Sequence, residues 1–187
     1  MKAAILESYN APLVVRDVPT PDPSGAGAVI KVAANGICRS DWHAWAEHWP
    51  GFLKLPHVLG HEMCGIVEAV GPHLLQQPVV LPEEISFLAG AGMGCRFMTA
   101  FHGLTDRVQL GAGEWIVVYG CGGVGLSVVE IANCLGAQVI AVDIGNDKLS
   151  LARELGAVAT VNALEADDPV SAVRELTGRD SFRIYGL

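Results

Sequence analysis

The stretch WIVVYGCGGVGLSVVEIANCLGAQVIAVD, residues 115–143, decides the fold. Trp115–Tyr119 is a short run of β-branched and aromatic residues and reads as a buried strand. Residues 122–135 follow as a helix, with Gly136 as its C-terminal stop. Gln138–Val142 is a second apolar strand. Beyond it, Lys148–Leu155 reads as the next helix, stopped by Gly156, and Ala159–Val161 as a third strand. Asp168 can cap a further helix, Pro169 suits its first position, and Gly178 ends it. Strand alternating with helix predicts a parallel sheet with right-handed crossovers.

The turn between the first strand and its helix carries G-x-G-x-x-G on Gly120, Gly122 and Gly125, with Gly123 and Val124 inside it. Taken alone the match is weak. A strand before it and a helix after it raise it sharply, because glycines then let the backbone approach a pyrophosphate at the positive end of the helix. Asp143, 18 residues after Gly125, ends the second strand. Its carboxylate can accept hydrogen bonds from ribose hydroxyls and repels a 2′-phosphate, which favours NAD over NADP. Lys148 is a second candidate for the ribose. The plainer reading of Asp143, a cap for the next helix, suits Asp147 better.

Upstream the pattern changes. The first 72 residues look β-rich, with strands expected at Ala3–Leu6, Leu13–Val18, Ala28–Ala33 and Cys64–Val70 and a turn at Asn35-Gly36. Pro82 with Glu83 and Glu84 reads as a helix start, and residues 84–105 as helical with an interruption near 90–94. Residues 36–43 pack a thiol, a hydroxyl and an imidazole close together at Cys38, Ser40 and His43; His61-Glu62 and Cys95 follow. Cys38, His61 and Cys95, separated by 23 and 34 residues, are a three-ligand set of the kind zinc accepts with its fourth position open. Spacing alone favours the blander reading of two buried cysteines and a core histidine.

Composition narrows the class. The chain has 187 residues, 51% hydrophobic and 17% charged, with a net charge of −8, which argues against an electrostatic grip on nucleic acid or anionic lipid. The apolar run at the N-terminus is cut by Glu7, and those around Leu88 and Val139 are broken by glycines or ended by charges. No signal peptide or membrane span is therefore expected. Five cysteines without an export signal indicate free thiols in a reducing cytoplasm. Cys64 and Cys134 read as buried small hydrophobes, Cys121 as a variable loop position, and His48, His57, His73 and His102 as surface or packing residues. Trp42, Trp45 and Trp49 suit either a substrate pocket or an aromatic cluster on the β-core.

Four motifs in order, G-I-C-R-S-D-x-H at 36–43, L-P-H-V-L-G-H-E at 55–62, A-G-M-G-C-x-x-x-T-A at 91–100 and the glycine loop, resemble those of the medium-chain, zinc-containing alcohol dehydrogenases. The resemblance implies a β-rich, GroES-like catalytic domain over 1–98 and a Rossmann domain, a doubly wound parallel sheet, over 99–187. The chain is then α/β plus β, with both domains partial. It also implies one catalytic zinc on Cys38, His61 and Cys95, with Glu62 beside the metal and Asp41 orienting His61. Ser40 would bond the substrate hydroxyl and pass its proton through the cofactor ribose toward His43. Arg39 would meet the pyrophosphate, and Thr99 and Val124 would border the nicotinamide. Zinc lowers the pKa of an alcohol it holds, and the nicotinamide accepts the hydride. The expected activity is oxidation of a small-molecule alcohol to an aldehyde or ketone, the alternative being a non-catalytic zinc- and nucleotide-binding fragment.

Two departures from the family are expected to matter. Only His73–Val80 bridge Gly71-Pro72 to Leu81, where the family carries a long segment, and no Cys-x-x-Cys series exists to hold a structural zinc. The chain also ends near a fourth strand, 181–187, which would expose the edge of Trp115–Tyr119 unless another chain, as in a homo-oligomer, covers it.

Overall fold

Short alternating runs in the N-terminal third pair as antiparallel ribbons, and the continuous apolar runs after residue 114 pair as a parallel sheet. The computed structural model describes residues 1–23, 25–73 and 80–178, together with the backbone of 183–186. The chain divides into two units, Met1–Cys95 and Arg96–Leu187. Most of the expected bridge His73–Val80 lies outside the described residues. Among those described, no helix is long and apolar enough to cross a membrane.

The first unit contains β1 (Lys2–Leu6), β2 (Val14–Asp17), β3 (Ala28–Gly36), α1 (Arg39–Trp45), β4 (His57–Val58), β5 (Glu62–Val70) and α2 (Phe87–Gly92). Strands β2-β1-β4 form one antiparallel sheet, and β3 pairs with β5 in another. Asn35-Gly36, expected as a turn, is instead the end of β3, paired with Met63 and Glu62. Gly36 serves close approach there: a β-carbon would run into the Glu62 carboxylate. The expected helix start at Pro82 is a turn closed by the Ile85 N–H on the Pro82 carbonyl. Helix α2 begins only after Ser86, whose hydroxyl accepts from the Ala89 N–H at 3.1 Å. The expected break near 90–94 is a π-helical turn at Met93–Phe97, which carries Cys95. Such turns carry a widened hydrogen-bond ladder and recur at functional sites.

In the second unit, α3 (Met98–His102) runs into another π turn at Gly103–Val108. Then come β6 (Trp115–Tyr119), α4 (Gly123–Cys134), β7 (Gln138–Asp143), α5 (Asn146–Glu154), β8 (Ala159–Asn162), α6 (Pro169–Thr177) and β9 (Arg183–Gly186). The sheet is wholly parallel in the order β8-β7-β6-β9. Numbered within the unit this is 3-2-1-4, the first half of a dinucleotide-binding sheet. Successive strand residues face opposite sides. Ile116, Val118, Val139 and Ala141 pack with Val129 and Leu149 from α4 and α5. Val117, Ile140, Val142 and Val161 pack with Val173 of α6. Burial on both faces explains the unbroken apolar runs, each buried Val or Ile side chain stabilising by about 1.5–3 kcal/mol. The expected bare edge of β6 is corrected here: β9 pairs along it from Ile116 to Tyr119.

Candidate metal centre and glycine-rich loop

Three elements of the first unit bring a donor each to one point. Cys38 follows β3 and caps α1, His61 precedes β5, and Cys95 sits in the π turn. Their ligand atoms all lie within 4.8 Å of one another, and the two sulfurs are 3.7 Å apart. A disulfide needs about 2.05 Å. Two thiolates on a tetrahedral zinc, each at about 2.3 Å, stand about 3.8 Å apart, so the spacing suits a shared ion.

Asp41 holds this arrangement together. Its Oδ1 lies 3.0 Å from His61 Nδ1 and accepts from the Gly60 N–H at 3.2 Å, while Oδ2 accepts from the Cys38 N–H at 3.0 Å. With Nδ1–H donating to Asp41, Nε2 is left as the nitrogen able to ligate a metal. The Ser40 hydroxyl is 3.2 Å from that Nε2. Burial works against ionisation of Cys38, yet hydrogen bonds from Ser40, Cys95 and His61 outweigh it and hold the thiol below its ordinary value. Burial likewise opposes protonation of His61, but the Asp41 carboxylate and Cys38 raise it. Glu62 is 1% exposed, and its Oε1 accepts from the Cys95 N–H at 3.0 Å, fixing the backbone of the third donor.

Other expected site residues are placed less directly. His43 Nδ1 lies 2.8 Å from Nδ1 of the exposed His48, so the histidine expected to be a bystander is its neighbour. The Arg39 guanidinium lies 3.9 Å above the Trp42 ring. Ser40, Trp49, Phe52, Leu53, Leu59 and His61 are among the residues that line a cavity of about 680 Å³. No motif singles out Phe52, Leu53 or Leu59; the only signal in the sequence is the density of aromatic and leucine residues between the first thiol and the imidazole.

In the second unit the glycine loop opens α4. Gly120, with φ of +92°, makes the turn out of β6, and its N–H reaches the Val142 carbonyl at 2.8 Å. At Gly125 a β-carbon would collide with the Gly120 carbonyl. Gly122 and Gly123 are exposed, Val124 packs on the core, and Thr99 lies exposed on α3. Asp143 Oδ2 accepts from the Cys121 N–H at 2.6 Å, and Oδ1 from the N–H groups of Ile144 and Gly145. Burial pushes the Asp143 carboxyl up, but these backbone bonds and Lys148, 3.5 Å from Oδ1, prevail and lower it, so it is ionised at neutral pH. Burial and that charge push the Cys121 thiol up to about 11, which leaves it inert.

Comparison with known proteins bears on both units. A family model described as alcohol dehydrogenase GroES-like domain matches residues 25–129, and one described as zinc-binding dehydrogenase matches 123–185. An alcohol dehydrogenase of Geobacillus stearothermophilus is 30% identical over 231 aligned residues, covering 95% of this chain and 68% of that protein. That alignment is longer than the chain itself, so the relative carries residues inside the matched stretch that have no counterpart here. An alcohol dehydrogenase from Aeropyrum pernix superposes with a TM-score of 0.83 at 27% identity, covering 95% of this chain and 69% of that one. An alcohol dehydrogenase zinc-binding domain protein from Burkholderia ambifaria shares the fold at a TM-score of 0.91 and 24% identity, covering 99% of this chain and 70% of that one.

Proposed function

The chain belongs to the zinc-type alcohol dehydrogenase family of medium-chain dehydrogenases, and on that footing we propose that it oxidises an alcohol with NAD, using one zinc ion held by Cys38, His61 and Cys95. The observation that carries the reading is the convergence of two sulfurs and an imidazole within 4.8 Å. Zinc supplies Lewis-acid polarisation of a substrate oxygen, and the nicotinamide supplies the hydride acceptor. Asp41 keeps His61 in the tautomer that offers Nε2, and Glu62 keeps Cys95 in place from behind. Ser40, beside His61, would take the hydroxyl proton, and His43, backed by exposed His48, would be the base toward which that proton leaves.

For the cofactor, the N–H groups at Gly122 and Gly123 and the start of α4 receive the pyrophosphate. Asp143 serves the ribose. A carboxylate offers about four acceptor positions, and three backbone N–H groups occupy three of them. One position on Oδ2 is left for a ribose hydroxyl, and the negative charge disfavours a 2′-phosphate. Lys148 stands beside it. Arg39 is assigned to the pyrophosphate, and Thr99 and Val124 to the nicotinamide.

One preparation tests the reading: zinc per chain, NADH binding by fluorescence, and alcohol-dependent NAD reduction, with Cys38→Ala as control. One zinc per chain and turnover are expected, with Cys38→Ala losing the metal and more than about 100-fold of kcat/KM, the upper range for loss of an outer partner of a metal ligand. Protein without zinc overturns the proposal. A second reading, a non-catalytic zinc- and nucleotide-binding protein, is favoured by the residues that the Geobacillus relative carries and this chain lacks. Stoichiometric zinc and NADH binding without turnover would select it.

A further inference from the structure

Oxidation of an alcohol by NAD frees one proton per turnover, and the end of α1 holds a second imidazole beyond the one assigned to receive it. Helix α1 closes at Trp45, with Ala46 as its C-cap, and Glu47 follows with φ of +56°, in the left-handed region. The Glu47 N–H donates to the Ala44 carbonyl at 3.3 Å and the His48 N–H to the His43 carbonyl at 2.9 Å. This pair of bonds is the one that closes a helix when a left-handed residue follows it, and it folds the side chain of the next residue back onto the last turn. Glycine usually takes the left-handed place; a residue with a β-carbon there costs about 1–2 kcal/mol.

The cap lays His48 on His43, with their Nδ1 atoms 2.8 Å apart. Trp42 meets both imidazoles edge to face, its ring centroid 5.0 Å from that of His43 and 4.7 Å from that of His48. Trp49 lies against His43 at 5.3 Å. The charged groups around the pair are the Arg39 guanidinium, stacked on Trp42, and the exposed Glu47 carboxylate. His43 is half-buried and His48 exposed, so the two rings lead outward to water.

Two ring nitrogens at this distance share one hydrogen, one donating and the other accepting. A neutral His43 that donates from Nδ1 keeps its Nε2 lone pair for an arriving proton. Once Nε2 is protonated, the Nδ1 hydrogen passes to His48 Nδ1, and His48 gives its Nε2 hydrogen to water. One proton enters and one leaves, both rings end neutral, and exchange with water restores the starting tautomers. We propose that His48 is the exit group for the reaction proton, acting through His43. This rests on the oxidoreductase reading above, in which the proton goes no further than His43, and adds the group that hands it to solvent.

The test compares the zinc-loaded full chain with His48→Ala, which keeps both backbone cap bonds, at fixed pH in dilute and in concentrated HEPES. In dilute buffer kcat should fall about tenfold with KM unchanged, short of the roughly 100-fold or more for loss of a general base, because His43 is still present. Concentrated HEPES should restore most of the lost kcat in the variant and leave the unsubstituted chain unaffected, since an external base then replaces the missing ring. Long-range 1H–15N NMR should show His43 protonated at Nδ1 and His48 at Nε2, and Glu47→Gly should keep that pattern. An unchanged kcat in dilute buffer overturns the proposal while leaving the oxidoreductase reading in place, and so does a loss that buffer does not restore. An imidazole pair without the shared Nδ1 hydrogen also overturns it. An unsubstituted chain that binds zinc and NADH but reduces no NAD overturns the oxidoreductase reading, and the exit role with it.

Discussion

At the residue scale the organising side chain of the candidate metal centre is Asp41, which is not itself one of the three candidate donors. Its two oxygens tie the backbone at Cys38 and Gly60 and the ring of His61, so one carboxylate sets the positions of two of the three donors. Asp41→Asn keeps the volume but turns an amide NH₂ toward either a backbone N–H or the imidazole Nδ1–H. Zinc affinity should fall about 10–100-fold, the range for outer partners of metal-bound histidine, measured by competition with a chromogenic chelator. Unchanged affinity would show that His61 is oriented by its backbone alone. Asp41 was legible as a partner of His61 through its place in the 36–43 motif. Its hold on the Gly60 N–H was not, because 19 residues separate the two and only the closed fold joins them.

At the element scale the glycine loop separates two uses of glycine. Gly125 faces the Gly120 carbonyl, so Gly125→Ala should destabilise the second unit by about 1–3 kcal/mol through overpacking and abolish NADH binding. Gly122 has an unremarkable φ of −80° and open space where a β-carbon would stand. Gly122→Ala should therefore leave thermal stability within about 0.5 kcal/mol while weakening NADH binding, because the added methyl would stand in the open space proposed for the pyrophosphate. Equal losses of stability in both variants would refute this division, and calorimetry with an NADH titration decides it. The elements from β6 to β8 were legible because buried parallel strands read as unbroken apolar runs and their helices stop at Gly136 and Gly156. The π turn carrying Cys95 was not: no local composition distinguishes a widened turn from a break at glycines 90, 92 and 94.

For the whole molecule, the two units differ in how they are stabilised. The second has a sheet covered on both faces, with Ile116, Val117, Val139 and Ile140 fully buried. The first has few buried side chains, and Val32, Met63, Ile66 and Val70 of the β3–β5 ribbon are exposed. All three candidate metal donors lie in this thinner unit. An ion that binds only the folded form stabilises it by mass action. Chelation should then reduce hydrogen-exchange protection around Cys38, Gly60–Glu62 and Cys95, while β6 and β7 keep theirs. Loss of protection spread evenly through both units would contradict this assignment.

The sequence by itself determined the dinucleotide-type half-sheet and the position of its glycine loop, and it singled out the three candidate donor residues that the fold brings together. Those features rest on local patterns of apolar periodicity, glycine placement and short motifs, which act over a few residues. Only the tertiary structure decided that β9 closes the edge of β6, that Gly36 belongs to a strand, that Asp41 also ties down Gly60 and Glu62 the backbone of Cys95, and that an aromatic cavity stands beside the candidate donors. Each of these joins segments far apart in the chain, and their meeting follows from strand register and packing, to which local composition is blind.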